Sequence, residues 1–209
     1  MAVADSPDYP QIIERLKTGN ENFLDLGCCF GQEIRRLVAD GAPSENTYGC
    51  DLRQDFFEQG YAFFKDRDTL KSKFIVADIF DPNSGLKEID GNIDIIYAGS
   101  FIHLFGYEQQ VEVCVRIAKL LREKPGSLLV GRQIGHLNAG VMPHRMDKEH
   151  KMFRHNPDSF QKLWDEVGEK TGTKWRVEGK MTEVDFGEDQ KGWRNDEGLR
   201  RLSFSVFRL

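Results

Sequence analysis

The chain has 209 residues, enough for one domain with a full hydrophobic core and too few for two well-packed ones. Its 29 basic and 34 acidic residues, a net charge of -5, are mixed along the sequence, which argues against a nucleic-acid or membrane-surface partner, since either calls for a basic face. No apolar run approaches the roughly 20 residues that span a bilayer, the first residues lack the pattern of a secretory leader, and Cys28, Cys29, Cys50 and Cys114 show no paired ligand spacing. Reduced thiols, a cytoplasmic location and no metal are therefore expected.

The first periodic stretch, Tyr9 to Lys17, sets Ile12, Ile13 and Leu16 on one helical face. Asn22 to Leu26 reads as a buried strand, and Gln32 to Asp40 as a helix with Ile34, Leu37 and Val38 together. A short strand, Thr47 to Asp51, leads to a helix over Asp55 to Asp66 that is rich in aromatic residues. Strands follow at Lys73 to Asp78 and Asn92 to Gly99, then the longest helix, Tyr107 to Arg122. Pro125 and Gly126 turn the chain into a fifth strand, Ser127 to Arg132. Gly135 to His155 reads as polar connecting chain, and Pro157 to Gly172 as a helix with proline in its first turn. Two alternating segments, Lys174 to Met181 and Leu202 to Leu209, flank a charged loop from Phe186 to Gly198. Five strands joined by helices imply a doubly wound parallel sheet, because parallel neighbours need crossovers. The last two strands then form an antiparallel closing hairpin, seven strands in all. Residues 1–21 are expected to be a short cap and 22–209 the domain proper.

Ligands of such sheets bind where the carboxyl ends of the strands splay apart, so the loops after Asp25, Asp51, Asp78 and Gly99 are the candidates. The stretch from Phe23 to Ile34, FLDLGCCFGQEI, puts an acid two residues before Gly27 and a second glycine at Gly31. Gln32 stands where a dinucleotide fingerprint needs its last glycine, so a hydride-transfer cofactor fits poorly. Asp25 can neutralise an ammonium group, Gly27 lets backbone approach a ligand and Gly31 frees the helix start. Cys29 can replace a middle glycine if its φ is negative. Asp51 can accept both hydroxyls of a ribose, and Asp78 with Ile79 can meet an adenine amino group and ring face. Any one of these acids could simply cap a helix. Three at successive strand ends, with a glycine turn after the first, point to a bound cofactor.

With these residues the sequence resembles the class I S-adenosylmethionine-dependent methyltransferases. DLGCCFG (25–31) looks like their first motif, GCDL (49–52) carries the ribose-binding acid and VADIF (76–80) the adenine-binding acid. Together with GSFIHLF (99–105) and GRQIG (131–135), it more narrowly resembles fungal methyltransferases of meroterpenoid and polyketide-terpenoid pathways. The resemblance implies a Rossmann-like fold and S-adenosylmethionine as cofactor. Asp25, Gly27 and Gly31 would hold its methionine end, Asp51 with Leu52 its ribose, and Asp78 with Ile79 its adenine, while Ser100 and His103 flank the reacting centre. It also implies O-methylation of a small hydrophobic natural-product intermediate, at a carboxyl or hydroxyl, in secondary-metabolite biosynthesis. The alternative is a protein of the same fold that binds the cofactor without methyl transfer, as an assembly partner or a rearrangement catalyst. Cys29 departs from the family's middle glycine, and only about twenty residues precede the first strand.

Methyl transfer needs alignment and exclusion of water more than covalent chemistry. A carboxylate acceptor is already ionised at neutral pH, whereas a phenol benefits from a base. His103 is the candidate for that base or for orienting the acceptor, against a plainer structural role at a strand–helix junction. Beyond the fifth strand, His136, His144, His150 and His155 are interspersed with Arg145 and Arg154, just after Arg132. Arg132, His136 and Arg145 are the candidates for holding a substrate carboxylate, arginine doing so bidentately. Met142, Met146, Met152 and Phe153 suit an apolar ceiling; a solvated loop is the plainer alternative. The expected partners are a small-molecule substrate and a second copy in a homodimer.

Overall fold

The computed structural model describes residues 3–143, 151–184 and 196–209. Its strands are β1 (Phe23–Leu26), β2 (Thr47–Asp51), β3 (Lys73–Val76), β4 (Ile95–Gly99), β5 (Leu128–His136), β6 (Gly140–Pro143), β7 (Lys151–Arg154), β8 (Trp175–Thr182) and β9 (Leu199–Arg208). Its α-helices are α1 (Tyr9–Lys17), α2 (Gln32–Ala39), α3 (Gln54–Phe64), α4 (Tyr107–Leu120) and α5 (Pro157–Thr171). Seven strands form one sheet in the order β3-β2-β1-β4-β5-β9-β8. The pairs β1–β2, β2–β3, β1–β4 and β4–β5 are parallel, and β5–β9 and β8–β9 are antiparallel. This is the doubly wound α/β sheet with an antiparallel closing pair that the sequence implies.

Alternation along the buried strands divides the interior into two layers. Phe23, Ile95, Tyr97, Leu128 and Val130 meet Ile12 and Leu16 of α1 and Ile34 and Leu37 of α2 on one face. Leu24, Leu26, Ile96, Ala98 and Leu129 meet Val111 and Ile117 of α4 and Phe160, Leu163 and Trp164 of α5 on the other. Helix α5 starts where it does because Asn156 and Ser159 form a reciprocal capping box ahead of Pro157. It stops at Gly172, which takes the left-handed φ of 69°.

Two regions depart from the sequence reading. Strand β5 runs past Arg132 to His136, because β9 pairs with it along its whole length, from Leu128↔Phe207 to His136↔Leu199. The stretch read as polar connecting chain contains a hairpin, β6 with β7, registered from Gly140↔Arg154 to Pro143↔Lys151. The Phe153 N–H donates to the Phe105 carbonyl at 3.1 Å and the His136 N–H to the His155 carbonyl at 3.0 Å, so the hairpin base is fastened over the chain that leaves β4. Among the described residues no helix is long and apolar enough to cross a membrane.

Candidate functional site

Strand order reverses between β1 and β4: the chain builds outward to β2 and β3 on one side and to β5 on the other. That reversal opens a crevice at the carboxyl ends of β1 and β4, the place where doubly wound sheets bind ligands. Three non-glycine residues among those described take a positive φ: Cys29 at 50°, Lys65 at 56° and Ser100 at 57°. Lys65 caps α3, whereas Cys29 and Ser100 flank this crevice from the ends of β1 and β4. Strain of that kind persists only where the surroundings over-determine it, and it collects at ligand sites.

Three N–H groups of the loop after β1 tie it to β2, and a fourth closes the loop on itself. The Gly27 and Cys28 N–H groups both donate to the Cys50 carbonyl, at 2.9 and 3.0 Å. The Cys29 N–H donates to Asp51 Oδ2 at 2.9 Å, and the Gly31 N–H to the Cys28 carbonyl at 2.7 Å. Gly27 and Gly31 have φ of 77° and 68°. A Cβ on Gly27 would lie 2.8 Å from the Phe101 ring, and one on Gly31 2.7 Å from the Phe74 ring. The two glycines therefore serve a left-handed backbone and close packing under the loop. The condition set for Cys29, a negative φ, is not met: the anchored N–H holds the residue in the left-handed region that a glycine would take. Since that conformation costs a side-chain-bearing residue roughly 1–2 kcal/mol, Cys29→Gly is expected to raise stability by up to about 1 kcal/mol after the entropy cost of glycine. Chemical denaturation measures it, and a lower midpoint would show the strain to be absent.

Asp25 is 2 % exposed, and its Oδ2 has no hydrogen-bond partner among the described residues. Burial, with Glu33 and Asp51 nearby, pushes its carboxyl well above the usual carboxylate range. A buried acid in that state is a site for a cation. Asp51 accepts from Cys29 at one oxygen and from the Arg53 N–H at the other, 3.2 Å away. Each oxygen keeps a lone pair for a further donor, and the exposed Leu52 stands beside it. Asp78 is exposed and accepts the Phe80 N–H at 3.0 Å, but Ile79 is 7 % exposed and packs in the α4 and α5 core. The ring face expected of Ile79 is thus mostly spent on that core.

At the end of β4 the Ser100 N–H donates to the Arg132 carbonyl at 2.7 Å, which turns the chain off the sheet into a 3-10 turn at Ile102–Leu104. His103 sits in that turn, with Nδ1 buried and unbonded among the described residues. Burial, helped by the positive charge of Arg154, pushes its pKa down to about 4. The charge of Arg132 lies close to the hydroxyl of Tyr97, a residue that sequence reasoning passed over. Tyr97 is 5 % exposed, and a Cβ on Gly99 would lie 2.5 Å from its hydroxyl. Tyr97 therefore runs alongside the end of β4 toward Gly99, with Asp25 and Glu33 close enough to raise its pKa alongside burial, to about 12.

Next to Arg132, Gln133 turns to the opposite face, buried, with neither amide atom bonded among the described residues. His136 lies four residues further along β5, roughly 13 Å from Arg132 at strand spacing. Its Nε2 faces Asp196 Oδ1 at 2.9 Å and its Nδ1 meets the Asn138 N–H at 3.0 Å. The ring is engaged in fastening the strand tip, away from the crevice. Arg145, with His144, Met146 and His150, lies outside the described residues. Among the described residues no cluster of three or more histidine, cysteine or acidic side chains could hold a metal ion.

The cradle fits the expected cofactor on its own evidence: an unpartnered buried acid for a cationic end, a close glycine turn, and a second acid one strand over. A family model described as "Methyltransferase domain" matches residues 23–124. The O-methyltransferase atr3 of Stereocaulon alpinum is 46% identical over 206 residues, 98% of this chain and 58% of that protein. The methyltransferase adrK of Penicillium rubens is 41% identical over 209 residues, 96% of this chain and 68% of that protein. The chain thus spans less than two thirds of the first relative's length. Among solved structures, the 1,6-didemethyltoxoflavin-N1-methyltransferase of Burkholderia thailandensis superposes with a TM-score of 0.62, covering 98% of this chain and 80% of that one at 12% identity, a likeness of fold alone.

Proposed function

The chain belongs to the family of S-adenosylmethionine-dependent methyltransferases, and from that premise we propose that it methylates an oxygen of a small hydrophobic natural-product intermediate. Asp25, Gly27 and Gly31 would hold the methionine end of the cofactor, Asp51 and Leu52 the ribose, and Asp78 and Ile79 the adenine, with Ser100 at the reacting end. When bound, S-adenosylmethionine supplies an electrophilic methyl group on a sulfonium. The chain's own part is to align an acceptor oxygen with it and keep water out.

The observation that carries the reading is Asp25, a buried carboxyl with an unpartnered oxygen at the head of the glycine turn. His103 narrows the acceptor. A group whose pKa lies at about 4 is neutral at physiological pH and too weak a base to take a phenol's proton efficiently. It suits orienting an acceptor that is already ionised, so a carboxyl is favoured over a hydroxyl. The proposal includes a cytoplasmic setting, a homodimer, and the division of the chain into a cap over residues 1–21 and a domain over 22–209.

The test is product mass after incubation with S-adenosylmethionine and a panel of terpenoid and aromatic carboxylic acids beside the matching alcohols. A gain of one methylene on an acid is the expected result. Cofactor binding with no mass change across the panel would instead favour a binding protein of the same fold.

A further inference from the structure

Arg35 stands on α2 one turn beyond Gly31, and its side chain is 9 % exposed. A guanidinium so far from water needs its donors filled, because an unpaired buried charge is costly. Nε and Nη2 take the two oxygens of Asp66, at 2.6 and 3.0 Å, a bidentate fork that fixes the plane of the group. Nη1 points to the glycine turn instead, donating to the Phe30 carbonyl at 2.5 Å and to the Gly31 carbonyl at 3.3 Å. The Phe64 ring covers the guanidinium, its centroid 4.5 Å from Cζ, and the Tyr61 and Phe74 rings lie at 5.5 and 5.8 Å.

The sequence around α3 is fitted to this grip. Lys65 ends the helix in the left-handed region, and the next residue, Asp66, is the one that takes the fork. Gly60 gives the Phe30 carbonyl its place, since a Cβ there would lie 2.5 Å from that oxygen. A Cβ on Gly31 would lie 2.9 Å from Nη1. Glycine permits the φ of 68° at Gly31 but does not select it, so the turn needs outside support to keep one shape. On one side that support is β2, which takes the N–H groups of Gly27, Cys28 and Cys29. On the other side it is Arg35, which takes the carbonyls of Phe30 and Gly31.

We propose that Arg35 is the positioning residue of the cofactor turn, holding Phe30 and Gly31 in the shape that receives S-adenosylmethionine before the cofactor arrives. The role rests on the function proposed above, in which Gly27 and Gly31 meet the methionine end. A turn set in advance spares the cofactor the cost of ordering it, so loss of the grip weakens binding without removing a contact to the ligand. Lysine at this position keeps the charge but has no fork, and cannot serve Asp66 and two carbonyls in one plane.

The test is calorimetric titration of the full chain with S-adenosylmethionine, beside Arg35→Lys, Asp66→Asn and Arg36→Lys, with amide hydrogen exchange of each ligand-free protein. Arg35→Lys is expected to weaken the cofactor about tenfold and Asp66→Asn several-fold. Arg36→Lys, altered at the neighbouring exposed residue that pairs with Asp40, is expected to bind as wild type does. In free Arg35→Lys, exchange should quicken over residues 27–32 while β1, β2 and the body of α2 keep their protection. Wild-type affinity in folded Arg35→Lys and Asp66→Asn would overturn the proposal. Faster exchange spread evenly over α2 and α3 would also overturn it, since a merely structural arginine gives that result. If Arg35→Lys does not fold, Asp66→Asn decides by the same two readings, its site lying outside the turn and 20 % exposed. A wild type that binds no cofactor would sink the proposed function and this role with it, whereas equal binding by wild type and variants would sink this role alone.

Discussion

Asp25→Asn is expected to abolish measurable binding of S-adenosylmethionine while raising the melting temperature. Asp25 is 2 % exposed with Oδ2 unpartnered, and burial together with Glu33 and Asp51 raises its pKa. An acid whose folded pKa lies above its unfolded one binds more protons in the folded state, so stability falls as pH rises through that interval. Asparagine is nearly isosteric, cannot ionise, and removes that loss. The gain at neutral pH is the ionisation linkage alone, read as a melting temperature above the wild type's that no longer falls with pH over that interval. The same substitution removes the charge that meets the cationic end of the cofactor. In the wild type, a cation arriving beside Asp25 favours the carboxylate, so binding releases a proton and affinity rises with pH until Asp25 is ionised in the free protein. Thermal unfolding and calorimetry at several pH values measure both halves. A variant that binds as tightly as wild type would remove Asp25 from the cofactor site.

Stability is also expected to fall as pH drops from about 6.5 to about 4, through His103 and His155. Both rings are held neutral mainly by burial, each with its pKa pushed down to about 4. The unfolded chain takes up protons near 6.5 that the folded one refuses, so the stability present above that pH is lost on the way down. At about 1.4 kcal/mol for each pH unit, the loss approaches roughly 3 kcal/mol per ring.

His155 is the firmer of the two because its hydrogen bonds define its tautomer. Gln110 donates from Nε2 to the Phe105 and Phe153 carbonyls, both at 2.8 Å, so its Oε1 must accept. His155 Nε2, 3.0 Å away, therefore carries the proton, and Nδ1 is left to face the Ser159 hydroxyl at 2.8 Å. This chain ties β7, the turn that carries His103, and the start of α5 together. Acid conditions should loosen the substrate side of the crevice along with the fold. Denaturant unfolding at pH 7, 5.5 and 4 measures the slope. His155→Gln should flatten it even if the variant is less stable at neutral pH, and an unchanged slope would exclude His155 as the cause.

The fold was legible because periodicity and punctuation agree at almost every element. The four helices after β1 lie within two residues of their expected bounds, each marked by an apolar face and a glycine, proline or aspartate near an end. What escaped depends on long-range pairing. The extra length of β5 comes from β9, some seventy residues away, and GRQIGH by itself carries no strand signal. Strands β6 and β7 have four residues each, too short for alternation to register.

In the site, the acids and glycines are local in sequence and were readable. The φ of Cys29 was not readable because it is set by an N–H bond to Asp51, twenty-two residues on. Tyr97 reads as one more apolar residue in IIYAG, and only its position in the sheet gives it a face and brings the charge of Arg132 near it.

The most direct test of the account is calorimetric titration of the full chain with S-adenosylmethionine and its demethylated product, beside Asp51→Ala. That substitution removes the acceptor of the Cys29 N–H and the acid proposed for the ribose. The account predicts micromolar binding of both ligands by the wild type and at least a hundredfold loss in the variant. A folded wild type that binds neither ligand, or a variant that binds both as wild type does, would contradict it.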